Sequence, residues 1–272
     1  MDKKDIYNLN LEYEFKRIFK RFENQLDSRV LDLHSIQLAL INLPKMEKVV
    51  MPSIFISYFL RPTSAEPQNV FATYTKENCV AILSRTNNYF TENILHLAEE
   101  YLIEGLVLLK TIQSQSSLSF PSSSFKEKFN SEINKLRTFG SLEKEIKKLI
   151  MKSGADIIPE NCPYYTYLKN YVILRNCFTH RDGKITEKEI ELEIRLLYIS
   201  EEQIESAKNN DSINKLNPST ILRKWNLNDK IELTLNEVEG IAYGLIKTLF
   251  EIFRHMYKAA DKHVEILENI KK

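Results

Sequence analysis

Apolar residues recur at every third or fourth position over most of this chain, and this periodicity constrains the fold more than any other feature. Over residues 9–43, and again over residues 75–112, the spacing places apolar side chains along one face of a helix. The 272 residues include only six glycines and eight prolines, which is few for a turn-rich β protein. The sequence therefore predicts a mainly α protein that folds as a helical bundle.

Three more helices are predicted in the middle of the chain. Two basic helices span residues 125–139 and 142–152. They could guide RNA phosphates, although most charged helix faces are simply solvated. The third helix starts after Pro159 or Pro163 and ends at Asp182, because proline is tolerated in the first turn of a helix but not in its interior.

A change of period from 3.6 to 2 predicts a small β-hairpin after that third helix. Residues 185–199 alternate between apolar and polar side chains, and residues 230–235 do so again. A last helix is predicted over residues 237–270, opened by a capping box of Asn236 and Glu239. The expected fold is thus a helical bundle with a small β-hairpin inserted between its last two helices.

A serine-rich stretch at residues 113–124 is predicted to be an exposed loop that divides the chain. Residues 1–124 are interpreted as a helical part that is either the same domain or a helical extension. Residues 125–272 are interpreted as the helical core, with a β-ribbon at about 185–235.

The overall charge and the cysteines exclude several classes of protein. A formal net charge of +1 means that any RNA contact has to be local. Cys79, Cys162 and Cys177 form no CxxC pair, so neither a disulfide framework nor a zinc site is indicated. The most apolar run, residues 49–60, is too short to span a bilayer. We therefore expect a cytoplasmic protein that needs no metal or other cofactor and binds no membrane.

The helix that ends at Asp182 combines side chains suited to metal-free RNA cleavage. At 100° per residue its polar arc carries Arg175, Asn176 and His180, with Arg175 and His180 roughly 140° apart. Histidine transfers protons near neutral pH, and a guanidinium matches phosphate oxygens. Two such helices around a two-fold axis could bring four of these side chains to one cleft. The apolar arc is predicted to hold Tyr167, Tyr171, Leu174, Cys177 and Phe178, and the polar arc also holds Leu168, Lys169, Val172 and Thr179.

This pattern resembles the active-site motif of the HEPN superfamily (higher eukaryotes and prokaryotes nucleotide-binding), in which a histidine follows an arginine after four to six residues. Here the motif is Arg175, four residues and His180, with the polar Asn176 directly after the arginine and Gly183 just after the helix. The resemblance implies a helical bundle that dimerises through its motif helices. It also implies a metal-independent endoribonuclease that leaves a 2′,3′-cyclic phosphate, an activity typical of toxin–antitoxin, abortive-infection and anti-phage systems.

The resemblance makes Arg175 and His180 catalytic, with Asn176 in a supporting role. The implied partners are an RNA substrate, a second copy of the chain, and an antitoxin or another defence-system protein. The side chains expected to bind RNA are Lys169, Thr179, Arg181 and Lys184.

The spacing alone is not specific, because Arg29 and His34 repeat it. There Val30 occupies the polar position and no glycine ends the helix nearby, so we interpret that match as chance. The alternative function is a non-catalytic HEPN-like module that binds or scaffolds a protein, nucleotide or RNA partner. The histidines outside the motif lack acidic partners at ligand spacing and are not expected to bind metal: His34, His96, His255 and His263.

Overall fold

The structure, a computed structural model, describes residues 11–42, 49–50, 71–72, 76–114, 142–186, 192–198 and 219–270. Within these ranges the protein is mainly helical, as predicted, and no helix has a stretch both long and apolar enough to cross a membrane. The helices are α1 (Leu11–Asn42), α2 (Lys76–Gln113), α3 (Leu142–Ser153), α4 (Tyr164–Arg181) and α5 (Leu235–Ile270). The strands are β1 (Val49–Val50), β2 (Phe71–Ala72), β3 (Leu192–Tyr198) and β4 (Ser219–Trp225), and a 3₁₀ turn covers Ala155–Ile157.

The predicted ends of α1, α2, α3 and α5 agree with the structure within two residues. The helix predicted at 125–139 lies outside the described residues, and so does the serine-rich stretch beyond Ser114. These two predictions therefore stay predictions.

The core is built around α5, which packs against α1, α2, α3 and β3. Buried apolar side chains from all five helices form one continuous cluster. Helix α2 approaches α5 closely at Gly105, where an added Cβ atom would lie 2.6 Å from Cε1 of Phe253. The two halves of the sequence therefore share one core. Along α5 the buried apolar residues recur at helical spacing: Val238, Ile241, Leu245, Leu249, Ile252 and Met256.

Strands β3 and β4 form an antiparallel ladder in which Leu192 lies opposite Trp225 and Tyr198 lies opposite Ser219. The prediction that residues 230–235 form a strand of this ribbon is wrong. In that segment Lys184 and Lys230 make only an isolated bridge.

Two asparagines of α2 bind the backbone of residues 231–233, which belong to no strand. Nδ2 of Asn88 donates to the carbonyl of Ile231 at 2.9 Å, and the N–H of Leu233 donates to Oδ1 of Asn88 at 3.3 Å. Nδ2 of Asn87 donates to the carbonyl of Leu233 at 2.7 Å. Because a side-chain amide offers the same donor and acceptor as a peptide group, it can satisfy an extended segment as a neighbouring strand would.

The capping box of α5 lies two residues before the predicted one. The N–H of Glu237 donates to Oγ1 of Thr234 at 3.3 Å, and the N–H of Thr234 donates to Oε2 of Glu237 at 2.8 Å. The prediction of Asn236 and Glu239 is therefore wrong. Oε1 of Glu239 instead contacts Nε2 of His34 on α1.

Candidate active site

Helix α4 lies among four neighbouring elements. It packs against α2, α3, α5 and β3. Leu168, predicted on the polar arc, is only 3% exposed, whereas Tyr167 and Phe178 of the predicted apolar arc are half-buried. The predicted arcs are therefore wrong for these residues. A projection of α4 alone does not show that α2 covers one of its sides.

Within the described part of the chain, one partly exposed stripe of α4 carries two of the three motif residues. Lys169 and His180 are exposed there, and Asn176 is half-buried between them. These residues follow one another at three- to four-residue spacing around Ile173, which places them on one face. We call Lys169, Ile173, Asn176 and His180 the open stripe.

The end of α4 is fixed by two residues with left-handed backbone conformation. Asp182 has φ 50° and Gly183 has φ 77°, and the N–H of Gly183 donates to the carbonyl of Cys177 at 2.9 Å. The predicted helix stop at Gly183 is thus confirmed. His180 accordingly lies in the final turn of the helix.

Arg175 points away from the open stripe, toward α2. Its Nη2 donates to Oε1 of Glu99 at 2.8 Å, and its side chain is only 18% exposed. Within one chain Arg175 and His180 therefore lie on different sides of α4, as the helical projection predicted. A charge-assisted bond of this kind holds the guanidinium in one place.

Thr179 also faces α2, one turn after Arg175. Its hydroxyl donates to Oε1 of Glu92 at 2.8 Å and lies 3.4 Å from Nε2 of His96. The ring of His96 lies between two carboxylates, with Nε2 3.7 Å from Glu92 and Nδ1 3.8 Å from Glu99. We call Glu92, His96, Glu99, Arg175 and Thr179 the α2–α4 polar cluster.

The α2 half of this cluster was not predicted from the sequence. The statement that His96 lacks acidic partners is wrong, because Glu92 and Glu99 flank it on the same helix. The signal was present in the spacing: an acid four residues before the histidine and another three residues after it share its face. What the sequence could not give is that this face meets Arg175.

The remaining residues predicted to bind RNA are scattered. Lys184 is exposed beyond the end of α4 and bridges to Lys230, while Arg181 is half-buried. Near them a groove of about 990 Å³ opens between α2, the end of α4 and residues 230–232. Its lining mixes cations with carboxylates, so its charge does not select an anion: Arg85, Glu92, Asp182, Lys230 and Glu232.

Metal ligands are not grouped in the described part of the chain: no three His, Cys, Asp or Glu side chains there are arranged to hold a metal ion. In comparisons with protein-family models, with curated proteins and with solved structures, nothing matches this chain.

Proposed function

We propose that this protein is a metal-independent endoribonuclease of HEPN type, with a HEPN-like helical bundle in which the ribbon of β3 and β4 is inserted between α4 and α5. It acts as a homodimer paired through α4 and belongs to a toxin–antitoxin, abortive-infection or other anti-phage system. Arg175 and His180 are its catalytic residues, and Asn176 supports them. Lys169, Thr179, Arg181 and Lys184 are the proposed RNA contacts.

The observation that carries the proposal is the open stripe of α4. His180 is exposed on it and Asn176 lies one turn earlier, on a helix that packs against α2, α3, α5 and β3. Pairing of two α4 helices along this stripe would bring together two His180 side chains. Each long Arg175 side chain would approach the shared cleft from its flank.

The chemistry divides between these residues. A guanidinium at a phosphate offsets the charge that develops on phosphorus as the ribose 2′-oxygen attacks. His180 transfers a proton, and the carbonyl end of a helix is a favourable place for the positive charge of an imidazolium. The expected products are a 2′,3′-cyclic phosphate and a 5′-hydroxyl.

The first test measures cleavage of labelled single-stranded RNA in excess chelator. We expect wild-type protein to cleave, and His180→Ala and Arg175→Ala each to lower the rate by about 100-fold or more, as loss of a proton-transfer or charge-stabilising group usually does. Arg175→Lys keeps the positive charge but loses the forked N–H donors of the guanidinium. Its cleavage rate should therefore lie between those of Arg175→Ala and wild type.

The chain supplies a matched control for this test. Arg29→Ala and His34→Ala remove an arginine and a histidine with the same spacing on α1, and we expect both to cleave at the wild-type rate. RNA left intact by concentrated wild-type protein, or cleavage abolished by the chelator, would disprove the proposal.

One observation favours the alternative, a non-catalytic binding module. Arg175 is satisfied by Glu99 within its own chain, which is what a structural ion pair would look like. This alternative predicts a stable dimer that does not cleave RNA. It also predicts equal growth of cells that express wild-type protein or Arg175→Ala, whereas an active nuclease slows growth and Arg175→Ala relieves it.

A further inference from the structure

Cleavage of RNA by its own 2′-hydroxyl requires two proton transfers. One proton leaves the 2′-oxygen as that oxygen bonds to phosphorus, and another reaches the 5′-oxygen as its bond to phosphorus breaks. The proposed function, on which this inference rests, assigns one transfer group, His180. Its place at the carbonyl end of α4 suits it to deliver the proton. The group that removes the first proton is still unassigned.

His96 lies on the same side of α4 as Arg175, in the α2–α4 polar cluster. Glu99 links the two: one carboxylate oxygen accepts from Nη2 of Arg175 at 2.8 Å, and the other lies 3.8 Å from Nδ1 of His96. On the opposite edge of the ring, Nε2 lies 3.4 Å from the hydroxyl of Thr179. Within one chain the arginine of the motif therefore shares a cluster with His96, and His180 lies on the open stripe.

Exposure and charge suit His96 to accept a proton. Its side chain is 43% exposed, so a ribose can reach the ring. Two carboxylates within 3.8 Å would stabilise the positive charge that the ring gains. With the ring protonated, the cluster is charge-balanced, since Arg175 and His96 oppose Glu92 and Glu99.

We infer that His96 is a further catalytic residue, whose imidazole takes the proton of the ribose 2′-hydroxyl at the phosphate held by Arg175. The 2′-oxygen then forms its bond to phosphorus, the bond between phosphorus and the 5′-oxygen breaks, and a His180 contributed by the second copy of the proposed dimer gives its proton to the 5′-oxygen. The products are a 2′,3′-cyclic phosphate and a 5′-hydroxyl, and no other reactant is consumed.

The experiment is single-turnover cleavage of RNA by His96→Ala and His96→Gln as a function of pH. Both variants should cleave about 100-fold or more slowly than wild type, in the range expected for a lost general base. Loss of the base should also flatten the acidic limb of the pH–rate profile.

Imidazole in the buffer should restore part of the rate of His96→Ala, because the deleted ring was exposed. His96→Gln keeps the size and hydrogen bonding of the side chain, so a purely structural role for His96 predicts that this variant stays active.

The control is His34→Ala, which removes a histidine that is 47% exposed and also lies beside a glutamate. It should keep the wild-type rate and show no response to imidazole. Wild-type cleavage with undiminished cleavage by both His96 variants overturns this inference alone. An inactive wild type overturns the proposed function and this inference together.

Discussion

A tyrosine and a histidine face each other in the core between α4 and α5. The hydroxyl of Tyr165 lies 3.1 Å from Nδ1 of His255, the two rings are stacked, and each residue is only 1% exposed. Burial, with a smaller contribution from Arg254 and Lys258, lowers the pKa of His255 to about 4. Burial also raises the pKa of Tyr165. The folded protein therefore holds this pair neutral, and the hydroxyl can donate to the uncharged ring.

This pair predicts a loss of stability in acid. The pKa of His255 is about 4 in the folded protein against an ordinary value of 6.5, so the unfolded chain binds the extra proton between those values. The stabilisation is complete above pH 6.5 and decreases as the pH falls toward 4, by ~3 kcal/mol in all. His255→Gln cannot titrate. Urea unfolding at pH 7 and at pH 4.5 gives the free energy of unfolding that each protein loses between these two pH values. We expect this loss to be about 2 to 3 kcal/mol smaller for His255→Gln than for wild type.

His34→Gln serves as the reference for that measurement, because it makes the same substitution at a histidine that is exposed on α1. If wild type and His255→Gln lose the same free energy of unfolding between the two pH values, the buried histidine is not the group that titrates.

The individual site residues were predictable only as far as they lie on one helix. Arg175, Asn176 and His180 share a short motif, and the 140° offset follows from helix geometry alone. The contact of Arg175 with Glu99 depends on the rotation of α2 relative to α4, and these residues are 76 positions apart in the chain. No local pattern encodes that rotation, because it is set by side-chain packing across the whole bundle.

Among the elements, α2 both contributes to the core and binds the backbone of a neighbouring segment through its side chains. Its Asn87 and Asn88 bind the backbone of residues 231–233, and Nε2 of Gln37 on α1 donates to Oδ1 of Asn87 at 2.7 Å. Asn87 and Gln37 are both buried. Buried polar groups are costly unless each finds a partner, so this network fixes how α1, α2 and the start of α5 fit together.

Asn87→Ala should destabilise the protein by about 2 to 4 kcal/mol, because it leaves the amide of Gln37 and the carbonyl of Leu233 buried without their partner. Urea unfolding measures the effect. Asn93→Ala on the same helix is the matched control. Asn93 accepts a hydrogen bond from Arg29 and donates one to the carbonyl of Tyr89, both nearer the surface. Its loss should lower the free energy of unfolding by about 0.5 kcal/mol. Equal losses for the two variants would contradict the role given to Asn87.

The long helices could be predicted because their apolar period is sustained for many turns, which few other structures tolerate. Residues 230–235 alternate as a strand would, yet residues 231–234 lie in no strand and Leu235 begins α5. The pairing partner of a segment is not encoded in its own period. For the start of α5, Asn236–Glu239 and Thr234–Glu237 both fit a capping box. The burial of Leu233 on one side of Thr234 selects the second, and burial is a property of the whole fold.

At the scale of the whole molecule, the two halves of the chain complete each other. Helices α1 and α2 from the first half cover one side of α5, and α3 and α4 from the second half also contact it. The parts of α1 and α2 that contact α5 would be open to water without it. Residues 1–124 are interpreted as either part of the same domain or a helical extension. These two interpretations differ in whether residues 125–272 can fold without residues 1–124.

Breaking the chain after Ser124 answers that question. We expect fragments 1–124 and 125–272 each to lack a cooperative unfolding transition when made alone, because each would expose apolar surface that the other buries. When co-expressed, they should co-purify and unfold in one thermal transition, followed by circular dichroism. A cooperative transition of fragment 125–272 by itself would instead mean that the first half is an extension.

The central position of α5 also matters while the chain is being made. Helix α2 ends at Gln113 and α5 begins at Leu235, so the ribosome needs on the order of 10 seconds to add the intervening residues. During that interval the apolar faces of α1 and α2 have no α5 to cover them. We expect a nascent chain in this state to bind chaperones, because apolar surface is exposed on it. The core closes, and any chemistry on α4 becomes possible, only after α5 has left the ribosome.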